Sequence, residues 1–436
     1  MSHYPQLAEP AERELVERVE LRLALADTDE KFERNLDTFL APLLLKLASP
    51  HASVKQVVFN CLQHVISRFN ALSNLKIPAQ KLLLQSKFPT LNPDQDSSLV
   101  RVYSLLFLSK GIERMSPDQQ LDLLPQVLEN ISKLPESASA RMFHILCKML
   151  LSWNPPAKGT EEEDRVREFL KLKDDSDLQF LLNKFTQFFL LIPVRSDPNS
   201  SSIPRGYTCP GLSVSDVAFF TYNAGVTINK DQLTNFKKAI FKFVTSGFVP
   251  DDQMLVKFLS VASTDQSELS DQAKTMLRRL HVPYEDEDFV NYLISLFIGD
   301  KLTGTPPVSH LLQEKILSVI NNSVIATKNP ENVALISSIG LNSSHYKLRS
   351  LCLTFIQHAA KYNYSSLNRS ESGSSDFSVN IASLIRNNLH AEGWPKLQLN
   401  SSTPNFSTAL LQRRAQYETL GEILKKDFSL VSDVSF

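Results

Sequence analysis

The sequence predicts an all-α fold: an α-solenoid of stacked antiparallel helix pairs. Three observations carry that reading. One is a stripe: Val54, Val57, Val58, Cys61, Leu62, Val65, Ile66 and Phe69 recur at the α-helical period without a break. Another is the scarcity of glycine, 12 among 436 residues, where average usage is about 7%. Sheets and phosphate loops need glycine at their turns; paired helices do not. The last is repetition. Pro42 and Pro125 lie 125 − 42 = 83 residues apart, about twice a helix-pair period of roughly 40. The segment HYKLRSLCLTFIQHAA echoes HASVKQVVFNCLQHVI at a shift of 349 − 55 = 294. A proline-bearing helix, a Ser-Pro turn and a Val-Lys step into a second apolar helix make a unit of the HEAT/armadillo kind.

Taken in order, a first helix is expected over about Ala11–Ala26. Asp27-Thr28-Asp29-Glu30 then fits a capping box, an acceptor with an acid three residues later. The next helix, about Thr28–Ala48, carries Pro42 and the leucines at 43, 44, 45 and 47. Ser49 is expected to cap the helix that follows, with Pro50 in its first turn, where a missing N–H costs nothing. Pro78, Pro89 and Pro93 divide what reads as a connecting region around Leu82-Leu83-Leu84. Helix resumes over Ser97–Ile112. Ser116-Pro117-Asp118-Gln119 opens another, with Leu124, Pro125, Leu128, Ile131 and Leu134. Met142, Phe143, Leu146, Met149 and Leu150 belong to its partner.

Asn154–Asp164 reads as a polar, acidic loop, and Arg195–Gly211 and Ser365–Ser378 as serine-rich loops. Later helices are expected near Asp231–Thr245, Asp251–Val261, Asp265–His281, Asp286–Ile298 and Pro307–Ile325. Asn329-Pro330-Glu331 gives a further capped start, and a last helix covers about Thr408–Lys426. The expected organisation is helical repeats over 1–194, a Ser/Pro-rich loop over 195–212, and further repeats over 213–436 with a serine-rich loop at 365–378. The apolar end FSLVSDVSF, where a capping unit should be polar, leads us to expect a truncated chain or fragment.

Charge is balanced, 46 Lys+Arg against 47 Asp+Glu, which argues against nucleic-acid binding driven by phosphate neutralisation. No apolar run reaches the roughly 18–20 residues that would span a bilayer. Cys61, Cys147, Cys209 and Cys352 lie far apart, and three sit in apolar helical patterns, so they read as reduced core thiols.

Catalytic patterns are missing: no P-loop, no dinucleotide fingerprint, no nucleophile elbow and no zinc-protease helix motif. His64 with Cys61, and His144 with Cys147, stand three apart on a helix, yet neither has a second pair to complete a metal site. The acidic runs Glu161–Asp164 and Glu285–Asp288 fit solvated loops or helix N-termini better than paired catalytic carboxylates. The basic pairs Lys237-Lys238, Arg278-Arg279, Arg413-Arg414 and Lys425-Lys426 lack an interleaved aromatic ladder. Phe185/Phe188/Phe189 and Phe219/Phe220/Tyr222 read as core, although an exposed aromatic patch is also how a scaffold grips a partner. No catalytic, cofactor-binding or metal residue is assigned, no cofactor and no small-molecule substrate are expected, and partner-binding residues stay unassigned.

The block Leu15–Ile66, with Val19–Leu25, a Thr-Asp-Glu turn and the FLAPLLLKL helix, resembles the amino-terminal region of the Ecm-twenty-nine family of proteasome adaptor/scaffold proteins. Leu75–Gln85 (LKIPAQKLLLQ) is similar to that family's proline-centred segment. Pro210-Gly211-Leu212-Ser213, with the later Asp231–Pro250 helix, looks like its P-G-M-S element. The resemblance is collinear over nearly the whole chain. It implies a non-enzymatic HEAT-repeat adaptor that binds the proteasome, touching core and regulatory particles and supporting assembly, stability and quality control. It implies cytoplasmic and nuclear residence, peripheral to endomembranes. Family members are several times longer, and no short motif assigns contacts residue by residue. The alternative is a HEAT scaffold of another kind, a kinase/phosphatase scaffold or a nuclear transport receptor; net charge −1 disfavours the acidic inner surface typical of the latter.

The stripe itself is testable. Leu62→Asp should unfold its unit, since an unpaired buried carboxylate costs several kcal/mol, roughly the stability of a small domain. Thermal melting identical to the parent chain would show that the stripe is not buried.

Overall fold

The computed structural model describes residues 8–72, 75–91, 95–156, 159–172, 174–192, 207–221, 228–249, 252–265, 268–363 and 405–426. Eighteen α-helices and no strand are present among them. The fold is all-α, of stacked helix pairs of the HEAT/armadillo kind. The chain divides into two compact units: Met1–Phe188 with Pro193–Pro204 and Asp216–Pro250, and Phe189–Ile192 with Arg205–Ser215 and Asp251–Phe436. The serine-rich stretches 195–206 and 365–378, Tyr222 and the apolar end lie outside the described residues.

In the first unit the opening helices are α1 (Glu9–Ala24), α2 (Asp29–Leu45), α3 (Ala52–Ala71), α4 (Ala79–Lys87) and α5 (Ser98–Ile112). They are followed by α6 (Pro117–Leu128), α7 (Glu136–Ser152), α8 (Glu161–Leu170) and α9 (Asp175–Leu190). Then come α10 (Val214–Thr221) and α11 (Lys230–Phe243). One layer runs α2, α4, α6, α8; the other contains α1 against α3, and α5 against α7 against α11. The stripe on α3 packs inward: Val54, Val58, Cys61, Leu62, Val65 and Phe69 are buried, and Val57 and Ile66 half-buried. A phenylalanine cluster fills the centre, with Phe143 within 5.5–5.9 Å of Phe185, Phe188, Phe219 and Phe220.

Helix ends in this stack are closed by cations from neighbouring helices. Arg68 donates from Nη2 to the Ala26 carbonyl at 2.6 Å and from Nη1 to that of Leu23 at 3.3 Å, its guanidinium 4.1 Å from the Phe32 ring centre. Arg114 does the same to Phe69 at the end of α3. Arg101 closes α4 at Ser86 and Lys87. Lys87 itself, buried, donates to the carbonyls of Gln126, Val127 and Glu129. Its ammonium gains these dipole ends at a cost in hydration: burial pulls its pKa down to about 8, against the pull of Asp177 and Glu129.

In the second unit, α12 (Asp252–Ala262), α13 (Leu269–Leu277), α14 (Glu287–Ile298) and α15 (His310–Ile320) precede α16 (Pro330–Leu341), α17 (Tyr346–Tyr362) and α18 (Asn405–Lys426). Here α14 packs on α16, and α17 on both α15 and α18. The long-range echo is present in atomic detail. Ser49 N–H donates to Lys46 and Ser343 N–H to Gly340. Ser49 Oγ accepts from His51 N–H and Ser343 Oγ from His345 N–H. Each next helix starts three residues after its serine, and 343 − 49 = 294.

Several expectations need correction. Ser49 does not cap α3: His51 is the residue before the helix, and Pro50 stands outside it. Ser49 Oγ instead donates to Glu12 Oε2 at 2.8 Å. Burial opposes ionisation of Glu12, but the hydrogen bonds from Lys46 and Ser49 outweigh it and lower its pKa. Thr28, not Asp27, caps α2, accepting from Lys31 N–H, and Asp27 pairs with Lys31. Leu82–Leu84 belongs to a helix, α4, packed chiefly on α5. Glu161–Asp164 forms the first turn of α8 behind the Thr160 cap, so the acidic loop ends at residue 160. The helix expected over Asp265–His281 is shorter, Leu269–Leu277. Ser116–Gln119 is a full capping box, and Asn329 caps α16.

Gly211 stitches the second unit. Its N–H donates to Pro306 at 2.9 Å, its φ is +81°, and a Cβ there would fall 2.6 Å from Val308 Cγ1. Gly211→Ala should therefore cost about 1–3 kcal/mol from left-handed strain and overpacking together. Denaturant melting that overlays the parent curve would refute the close approach.

Candidate functional site

The residues that could have carried chemistry are separated or buried. On α3, Cys61 faces the core while His64 is exposed, so the two do not converge on a ligand. All four thiols are buried and outside any disulfide. Burial pushes Cys61 up to about 12, with Glu20 adding to it, and Cys352 also up to about 12; Cys147 is raised for the same reason. A thiol held protonated is neither a nucleophile nor a metal ligand at neutral pH. Among the described residues no group of three or more His, Cys, Asp and Glu side chains is placed to hold a metal ion.

His144 lies deep in the first unit. Its Nε2 sits 3.0 Å from the Phe220 carbonyl oxygen, which can only accept, so the proton is on Nε2. Nδ1 is buried without a partner. Burial pulls its pKa down to about 4, outweighing the Phe220 hydrogen bond; Lys148 and Arg141 add to the fall. It is a neutral core histidine.

The acidic runs are helix starts. Glu161–Asp164 occupy the first turn of α8. Asp286 caps α14, and Glu285 accepts the backbone N–H groups of Val324 and Ile325. Among the basic pairs, Lys237 is buried and Lys238 exposed, Arg278 and Arg279 are both exposed, and Arg414 and Lys425 lie outward. The phenylalanines at 185, 188, 189, 219 and 220 are core.

What remains is surface relief. A cavity of about 610 Å³ in the first unit is walled by Trp153, Val166, Leu170, Leu178 and Phe248, with the Arg167–Glu163 ion pair at 2.8 Å on its lining. A second depression, about 450 Å³, lies between α2 and α4, over Ala41, Pro42, Leu45, Leu84 and Phe88. Leu84 and Phe88 are 52% and 61% exposed there. The sequence held one sign of this: Leu84 ends a three-leucine run whose first two members face inward, so helical rotation turns the third outward. Phe88 gives no such signal.

With no metal cluster among the described residues, kinship decides the reading. A family model described as "Proteasome component ECM29, N-terminal" matches residues 16–436. The chain belongs to this family. It is 54% identical to "Proteasome component ECM29" of Saccharomyces cerevisiae over 98% of this chain and 23% of that protein. It is 28% identical to "Proteasome-associated protein ECM29 homolog" of Drosophila melanogaster over 80% of this chain and 18% of that protein. Identity to "Proteasome adapter and scaffold protein ECM29" of Homo sapiens is 24%, over 79% of this chain and 20% of that protein. The chain thus spans about a fifth to a quarter of the length of these curated relatives. Among the described residues, no helix is long and apolar enough to cross a membrane.

His144 makes the fold pH-dependent. Its folded pKa, about 4, lies below the unfolded value near 6.5. The unfolded chain therefore binds more protons between these values, and stability falls as pH drops through that window, by roughly 3 kcal/mol in all. The Cys61 and Cys352 shifts act at the other end: the folded chain keeps protons the unfolded one loses, so stability declines from about pH 9 towards 12. Urea titrations from pH 4 to 7 should show the acid slope, diminished in His144→Gln. A slope unchanged by that substitution would assign it elsewhere.

Proposed function

We propose that this chain is a non-enzymatic, proteasome-binding segment of an adaptor/scaffold. The match to the yeast relative over 98% of the chain carries this reading, since that protein is named a proteasome component. The architecture supports it. Stacked helix pairs spend their apolar stripes on one another and leave outward helix faces along the stack for extended contacts. Binding of that kind spreads over many residues and needs no motif.

The finer reading is that the segment helps to bridge core and regulatory particles, supporting proteasome assembly, stability and quality control. Residence in cytoplasm and nucleus, peripheral to endomembranes, belongs to the same proposal. The buried thiols and the buried His144 fit a protein that works by holding.

Native affinity purification of the tagged chain from cells is the test. Core and regulatory particle subunits should both be recovered, and to a lesser degree after Leu84→Glu with Phe88→Glu, if the α2/α4 depression contributes. Recovery of one particle alone would remove bridging and leave binding. Recovery of neither would end the reading.

A further inference from the structure

The second unit carries a patch of positive charge that its own structure leaves half-neutralised. Lys274 and Arg278 stand one turn apart on and just beyond α13, Lys315 lies on α15, and Lys347 on α17. Burial is the main force against the charged form of Lys315, and Lys274, Arg278 and Lys347 are near enough to add to it. Carboxylates reach only two of them. Lys274 pairs with Asp271 at 3.1 Å and Lys347 with Glu314 at 3.3 Å. Arg278 and Lys315 have no carboxylate partner among the described residues. Packing of α15 on α17 holds Lys315 beside Lys347, and the His310 and His345 rings stack between these helices at 3.7 Å, 8° from parallel.

Like charges gathered without counter-charge are a standing cost to the fold, lowered when an anionic group arrives from outside. Leu311 adds an apolar foothold. It is 46% exposed and one helical turn from Lys315, so both project from the same face of α15. We propose that this face of α13, α15 and α17 docks an acidic peptide segment of a partner protein, its carboxylates meeting Arg278 and Lys315 and an apolar side chain covering Leu311. Asp271 and Glu314 sit among the cations, which favours a peptide with spaced acids over a continuous phosphate backbone. The imidazoles stack on each other and offer no platform for bases. This inference stands apart from the identity of the assembly the chain binds.

The test uses the full 436-residue chain and a fluorescent peptide of about twelve residues, glutamates interrupted by one leucine, read by anisotropy. The parent chain should bind it, lose affinity steeply with added salt, and ignore the analogue with glutamine at every glutamate. Arg278→Glu with Lys315→Glu should weaken binding about tenfold or more. Should that reversal fail to fold, Arg278→Gln with Lys315→Met, which removes repulsion and should melt no lower than the parent, is expected to weaken binding about threefold. Affinity within twofold of the parent in the folded variants would overturn the proposal. So would equal binding of the glutamine peptide, or displacement of the acidic peptide by oligothymidylate at lower concentration, which would make the face a nucleic-acid surface.

Discussion

A helix that ends inside a stack leaves its last carbonyls facing protein instead of water, and each needs a donor. In the first unit that need is met by cations from helices packed alongside. Arg68 reaches back to α1, Arg114 to α3 and Arg101 to α4, while Lys87 reaches forward to α6. A cation suits the task because the carbonyl end of a helix carries partial negative charge. The apolar stripes bring the helices together without direction; these side chains fix which end meets which neighbour. Arg68 and Arg114 combine the two roles, lying over phenylalanine rings while donating to carbonyls.

Much of this was legible in residue order. The α3 stripe, the cap at Ser116–Gln119 and the echo between α3 and α17 each obey local rules, and local rules survive folding. The failures share a physical cause. Leu82–Leu84 is flanked by prolines and looks interrupted, yet nine residues suffice for a helix once α5 covers it. Glu161–Asp164 reads as loop by polarity, although four acids in a first turn are favoured by the helix dipole and here sit behind a threonine cap. Ser49 was the natural cap by type; the carboxylate of Glu12, from a helix 37 residues earlier, claims its hydroxyl. Tertiary partners of that kind cannot be read from neighbours in sequence.

The candidate surfaces were less visible, for a reason that belongs to scaffolds. Catalysis concentrates function in a few side chains of unusual chemistry; docking distributes it over ordinary ones. Phe88 and Leu84 look like any core residues until the helix rotation is known. Lys315 and Lys347 lie far apart in the chain and meet because α15 packs on α17; Arg278 comes from a third helix end, and nothing in its own neighbours announces that. Conversely, the pairs that looked chemical, His64 with Cys61 and His144 with Cys147, dissolve into one exposed imidazole and a buried core.

The serine turn shared by Ser49 and Ser343 has a wider consequence. At both turns the same two local hydrogen bonds recur, between the serine, the residue three before it and the residue two after it, so the shape of the bend is repeated by adjacent atoms. What differs is the outside partner: Glu12 from α1 at Ser49, and Arg349 from the following helix at Ser343. The local bonds thus repeat the bend from one end of the sequence to the other, while the outside partner ties each copy to its own surroundings.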